Sequence, residues 1–188
     1  MTLPRPITLA RAWDLVDSSL ITIASAYPDL KALAPAGEIR RVEPLVSSIV
    51  LVASAADPAR GIDALAAHSS LHPIRSRDDR RIVVTERSLP IEIVVADPAE
   101  YGSVLLRSTG SLSHLQQIES RMTIDRRHAT EEDIYASLGL PFIIPELRHG
   151  TGEVAAAEEN RLPKVIAQSQ IRGDFHMHTR YSDGRDSV

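Results

Sequence analysis

The sequence predicts an α+β fold, a mixed sheet with helices followed by a small helical lobe, on three observations. Apolar residues at 10, 13, 16, 20, 23 and 27 advance by three or four, the period of an amphipathic helix over residues 8–26 with Thr8 as N-cap. Three β-rich runs read as strands: LVSSIVLVAS at 45–54, RIVVTE at 81–86 and PIEIVVA at 90–96. Beyond residue 98 the pattern turns helical.

Each element has its own local signal. The first helix needs a sheet to cover its apolar stripe, and the three runs supply one. RSLP joins the last two runs as the turn of a hairpin. Between the first and second runs, DPARGIDALAAH opens with Asp57 and Pro58, an N-cap and first-turn pair, and continues as a short helix to about His68. In ATEEDIYASLGLP, Thr130 caps a helix with acids in its first turn and a stripe through Ile134 and Leu138, stopped by Gly139 and Pro141.

With 188 residues and 43% hydrophobic content, the chain has material for one domain, or a domain and a small satellite. It has no run of about 18 apolar residues, and MTLPRPITLARAW lacks the layout of a signal peptide, so a cytoplasmic protein without a membrane partner is expected. The absence of cysteine excludes disulfides and thiolate-held metals, leaving His, Asp and Glu as the strong ligands. A net charge of −4 argues against binding nucleic acid by overall electrostatics. Two local patches, Arg75, Arg77, Arg80 and Arg81 around an Asp pair, and Arg121, Arg126, Arg127 and His128, read as solvated faces or as local DNA contacts.

One stretch has metal-ligand spacing. In GDFHMHTRYSDG, the H-x-H pair on an extended segment sends His176 and His178 to one side, and Asp183 returns a carboxylate after a short turn. Mixed nitrogen and oxygen donors suit zinc or manganese. His68, His72, His114, His128 and His149 show no such spacing and read as surface or capping residues.

TEEDIYASLGLPFIIPELRHGTGEVAAAEENRLPKVI followed by IRGDFHMHTRYSDG resembles the thumb of bacterial and archaeal family X DNA polymerases of the PolX type, running into their C-terminal PHP domain. STGSLSH resembles that family's TGS motif, and PAGEIRR its palm motif, usually Gly-Ser and then Arg-Arg. The resemblance spans nearly the whole chain, most strongly after residue 130. It implies a nucleotidyltransferase-like palm over residues 1–97, a small helical thumb lobe over 98–170 and the truncated start of a PHP domain over 171–188. The resemblance begins at the palm, so the family's N-terminal DNA-gripping domain is expected to be missing.

In such a palm, magnesium or manganese ions are held by two Asp at i and i+2 on one strand and a third on a neighbouring strand. The resemblance puts these positions at Ser47, Ile49 and Glu92, and no Asp occurs between Lys31 and Ala56 to restore the pair in another register. A degenerate polymerase site is expected, and no cofactor for this chain. Glu38 stands where the family has a Ser near the triphosphate, Arg107 and Ser108 replace an aromatic pair, and Leu115 replaces an Asn. Arg40, Arg41, Thr109, Gly110 and Ser111 remain as candidates for binding nucleotide or DNA, with Arg40 and Arg41 also readable as salt-bridged residues of the fold.

In a PHP domain, His176, His178 and Asp183 would join a multinuclear zinc or manganese site that hydrolyses phosphoesters. Its other ligands come from later strands, so the motif is incomplete here, and the tail from about residue 172 is expected to be disordered or borrowed by another chain. The expected partners are DNA and a PHP domain in cis or in trans, with a role in DNA repair.

Overall fold

A computed structural model describes residues 5–73, 78–86, 89–121, 127–173 and 180. The first part contains, in order, β1 (Ile7–Thr8), α1 (Leu9–Ala26), β2 (Lys31–Pro35), α2 (Gly37–Arg40), β3 (Leu45–Val46), β4 (Ile49–Ser54), α3 (Pro58–Ala67), β5 (His72–Pro73), β6 (Arg81–Glu86) and β7 (Leu89–Ala96). Helices α4 (Tyr101–Thr109), α5 (Leu112–Glu119), α6 (Glu131–Ser137) and α7 (Glu153–Glu158) follow. The fold is α+β, with a mixed sheet and a helical lobe, as the sequence predicts.

The main sheet has the order β2-β4-β7-β6-β5. Its central pair, β4 and β7, is parallel because α3 lies in the connection between them, and the other pairs are antiparallel. Alternation along the strands divides the side chains between two faces. Ile49, Leu51, Ile82, Ile91 and Ile93 pack with Ala12, Val16 and Ile23 of α1 and Ile62 and Leu65 of α3. Val50, Val52 and Val94 face the other way, against Tyr101, Val104 and Leu105 of α4. Each fully buried Val, Leu or Ile contributes about 1.5–3 kcal/mol against the cost of ordering the chain.

Three expectations need correction. Helix α1 has the expected span, but its buried stripe runs through Ala12, Leu15, Val16, Ser19 and Ile23, leaving Ala10 and Trp13 exposed. Ser19 is accommodated there because its hydroxyl donates to the Leu15 carbonyl at 2.7 Å. The run 45–54 is two strands: β3 pairs with β1 in a small separate sheet, and β4 joins the main one. The break has a local cause, since the amides of Ser47 and Ser48 donate to the Glu38 carboxylate, at 2.5 and 3.3 Å, and not to a neighbouring strand. Finally, KALAP forms edge strand β2, which has no β-branched residue to announce it.

The helical lobe begins with α4, which has two working faces. Leu105 packs on the sheet, whereas Leu106 joins Ile118, Ile134, Tyr135, Ile143 and Val154 in the lobe's own core. The first amides of α4 are satisfied by backbone: Gly102 and Ser103 donate to the carbonyls of Ala129 and His128. The approach is so close that a Cβ at Gly102 would lie 2.2 Å from the carbonyl carbon of Thr130. Thr130 caps α6 by accepting the Asp133 amide at 3.2 Å, and Gly139 beyond it has φ +68°. No helix among the described residues is long and apolar enough to cross a membrane.

Candidate functional site

Strand register decides what the sheet offers to a metal ion. Glu92 is paired across β4 and β7 with Val50, whereas Ile49 is paired with Ile91 and buried on the α1 side. Residues paired this way point to one face, so Ile49 does not join Glu92. The position of β4 sharing its face is Val50, and Ser47 and Ser48 precede the strand. Valine supplies no ligand and serine a weak neutral one. Glu92 is itself ion-paired to Arg81 at 2.8 Å across the hairpin. Among the described residues no group of three or more His, Cys, Asp and Glu could hold a metal ion. The face does not fit a pair of hard cations, which need several carboxylate oxygens.

The five candidate binding residues lie at the junction of α2 with the helical lobe. Arg40 forms a bidentate pair with Glu131, at 2.8 and 2.7 Å, and also donates to the Thr109 hydroxyl at 3.1 Å. Arg41 donates to the Thr109 carbonyl at 2.6 Å and to Glu43 at 3.3 Å. Ser111 caps α5, its hydroxyl accepting the His114 amide at 3.1 Å, while the Gly110 amide donates to Leu106. The structure thus brings Arg40, Arg41 and Thr109 into direct contact and places Gly110 and Ser111 beside them. Both guanidinium groups are already held within the chain.

Sequence reasoning missed the group these residues lead to. Glu131 is buried and receives Arg40 from one side and Arg148, at 2.5 Å, from the other. Burial raises its pKa, but the hydrogen bonds and charges of the two arginines outweigh this and hold the carboxyl below its usual range. Arg148 is fully buried, with its Nε donating to the Ile143 carbonyl at 2.8 Å. Its Nη2 has no hydrogen-bond partner, but Cζ lies 5.4 Å from the Tyr135 ring centroid and 5.2 Å from that of Phe142, so the aromatic faces take up the charge.

His114 departs from the surface or capping role expected of it: it is fully buried. It faces the lobe core from the first turn of α5, with Nδ1 at 2.6 Å from Glu153 and Nε2 at 2.9 Å from the Tyr135 hydroxyl. A neutral imidazole satisfies both contacts, donating to the carboxylate and accepting from the phenol. Burial accordingly lowers its pKa, against the opposing pull of the Glu153 hydrogen bond and charge. Glu153 also accepts the amides of Gly150 and Thr151, both at 2.8 Å. Burial raises its pKa, but the hydrogen bonds from His114 and from backbone amides including that of Gly150 outweigh this and bring it down. In the sequence Glu131 reads as an ordinary first-turn acid, and His114, Arg148 and Glu153 lie too far apart to suggest a cluster.

Three arginines of the basic patches are ion-paired within the chain. Arg80 pairs with Glu100, Arg81 with Glu92, and Arg121 with Glu158 at 2.7 Å. Arg75, Arg77 and Arg126 lie outside the described residues, as do His176, His178 and Asp183 with nearly all of the tail.

No protein-family model matches the chain. Over 184 residues, 87% of its length, it is 24% identical to the DNA polymerase/3′-5′ exonuclease PolX of Bacillus subtilis (strain 168), of which it spans 32%. The chain is thus distantly similar to a PolX protein over most of its own length and about a third of that protein's.

Proposed function

We propose that this chain is the palm and thumb part of a PolX-like protein in which nucleotidyl transfer has been lost, serving as a non-catalytic platform for DNA. The face of the sheet around Glu92 carries this reading. Two-metal transfer requires ions clamped between attacking and leaving oxygens. Val50 stands beside Glu92 on the same face, and the charge of Glu92 is met by Arg81. The similarity to a PolX protein supports the link to DNA.

In this reading the chemistry of the parent protein belongs to a PHP phosphoesterase or 3′-5′ exonuclease acting in DNA repair. His176, His178 and Asp183 would contribute to its metal site, where zinc or manganese activates water. Primer extension with a labelled deoxynucleotide and magnesium or manganese tests the loss of transfer. No incorporation is expected; incorporation that Glu92→Gln abolishes would overturn the proposal.

A second reading, an interaction module that does not touch DNA, is favoured by the internal pairing of Arg40 and Arg41. Mobility-shift titrations separate the two. Binding that weakens steeply with salt supports the platform, and no binding at low salt leaves the interaction module.

A further inference from the structure

We propose that the cavity between α4 and the start of β6 is a second binding site, taking a small phosphomonoester that also carries a hydrogen-bond donor. Its volume is about 360 Å³, within the roughly 300–1,000 Å³ of small-molecule sites. Neither Arg40, Arg41 nor the 109–111 turn lines it, so it is separate from the α2 junction. The proposal rests on the cavity alone and not on the function proposed above.

Three arginines line this space, Arg80, Arg81 and Arg107. Arg80 is paired with Glu100 and Arg81 with Glu92, and Arg107 has Glu119 among its partners, yet their side chains remain 42%, 56% and 43% exposed. Ion pairs this exposed are weak, so turning a guanidinium toward a new anion costs little. A phosphate dianion offers three oxygens in the geometry the planar fork matches and is a stronger partner than a single exposed carboxylate.

A bare anion is not the best ligand. Asp78, Asp79 and Glu100 also line the cavity and balance the three arginines. The Asp79 carboxylate and the Ser108 hydroxyl have no hydrogen-bond or ion-pair partner among the described residues. An ionised carboxylate only accepts, so Asp79 calls for a donor on the ligand, a hydroxyl or an amine. Val94 supplies an apolar wall for the part between phosphate and donor. Phosphate on one side and donor on the other describe a sugar phosphate or a mononucleotide, and both share this chemistry.

Calorimetric titration of the whole chain at low salt tests the proposal, with deoxyribose 5-phosphate, deoxyadenosine 5′-monophosphate, deoxyadenosine and inorganic phosphate as probes. At least one monoester is expected to bind about tenfold or more tightly than either inorganic phosphate or the nucleoside. A preference for the mononucleotide over the sugar phosphate identifies the base as the donor, and equal binding identifies the sugar. Arg81→Gln and Arg107→Gln should each weaken binding about tenfold, the loss of one charged hydrogen bond. Ser108→Phe, which fills the cavity, should abolish it. Failure of both monoesters to saturate, or unchanged affinity in Ser108→Phe, would overturn the site. If Ser108→Phe does not fold, the amide resonances of Val104 and Ser108 in the wild-type chain decide: shifts on titration support the site and their absence overturns it.

Discussion

On the sheet face beneath α4, Val50, Val52 and Val94 form an apolar strip, with Glu92 nearby held by the half-exposed Arg81. In the core of the helical lobe, Glu131, Arg148, His114, Glu153 and Tyr135 are buried or nearly so and bonded to one another in two groups. The first region is where the resemblance expects charge, and its side chains are mostly apolar and packed under α4. The second attracts no notice in the sequence and holds a dense set of buried polar groups. The contrast teaches that apolar packing on a sheet face makes no demand on any particular partner, whereas a buried polar network resists the loss of any one member. Removing a buried partner strands its neighbours, which then bear the full cost of desolvation.

The strongest way to break this comparison is Glu131→Ala. It leaves Arg148 buried beside Arg40 without their shared carboxylate, and a loss of about 3–5 kcal/mol is expected by urea denaturation. A loss under about 1 kcal/mol would show the network to be dispensable.

Replacing His114 by Gln is expected to cost about 1–3 kcal/mol, since Glu153 and Tyr135 lose a shaped partner. Its larger use is in pH dependence. His114 titrates below its ordinary value of about 6.5, so between the two values the unfolded chain is protonated and the native one is not. Stability therefore rises with pH across that window and falls on acidification below about 6.5. Glu131 and Glu153 act with the same sign at lower pH. Their contribution is complete above about 4.3, the ordinary Glu value, and is lost as pH falls through their depressed native values. Denaturation followed from pH 7.5 to 3 should show both declines, and His114→Gln should remove the upper one.

On the sheet, Val50→Asp sharpens the contrast from the other side. A carboxylate at this partly buried position should cost about 1–2 kcal/mol. Together with Ser48→Asp it puts three acids near one face, and manganese binding by electron paramagnetic resonance should then appear where the wild type shows none. The smallest effect is expected from Glu92→Gln, within about 0.5 kcal/mol of wild type, because its ion pair is half exposed.

The legible elements were those with strong local signals. Asp57-Pro58, Thr130 with its following acids, and the β-branched runs of β6 and β7 set their own boundaries through capping and alternation. Strand β2 was not legible, because KALAP is held by pairing with β4 and not by its own propensity. The end of β3 and start of β4 were hidden for a related reason: the Glu38 carboxylate breaks the run at Ser47 and Ser48, contacts across nine and ten positions that no local pattern displays. The buried network was invisible because its bonds join residues 17 to 91 positions apart.

Helix α4 has a further consequence, for how this chain tolerates insertion and deletion. Leu105 and Leu106 are neighbours in sequence but serve different cores, and Gly102 is pressed against Thr130. One extra residue between Gly102 and Leu105 would turn everything after it by about 100° around the helix axis. Leu105 would leave the sheet, Leu106 would leave the lobe core, and Thr109 would swing away from Arg40 and Arg41. The length of this one segment is therefore tied to both halves at once.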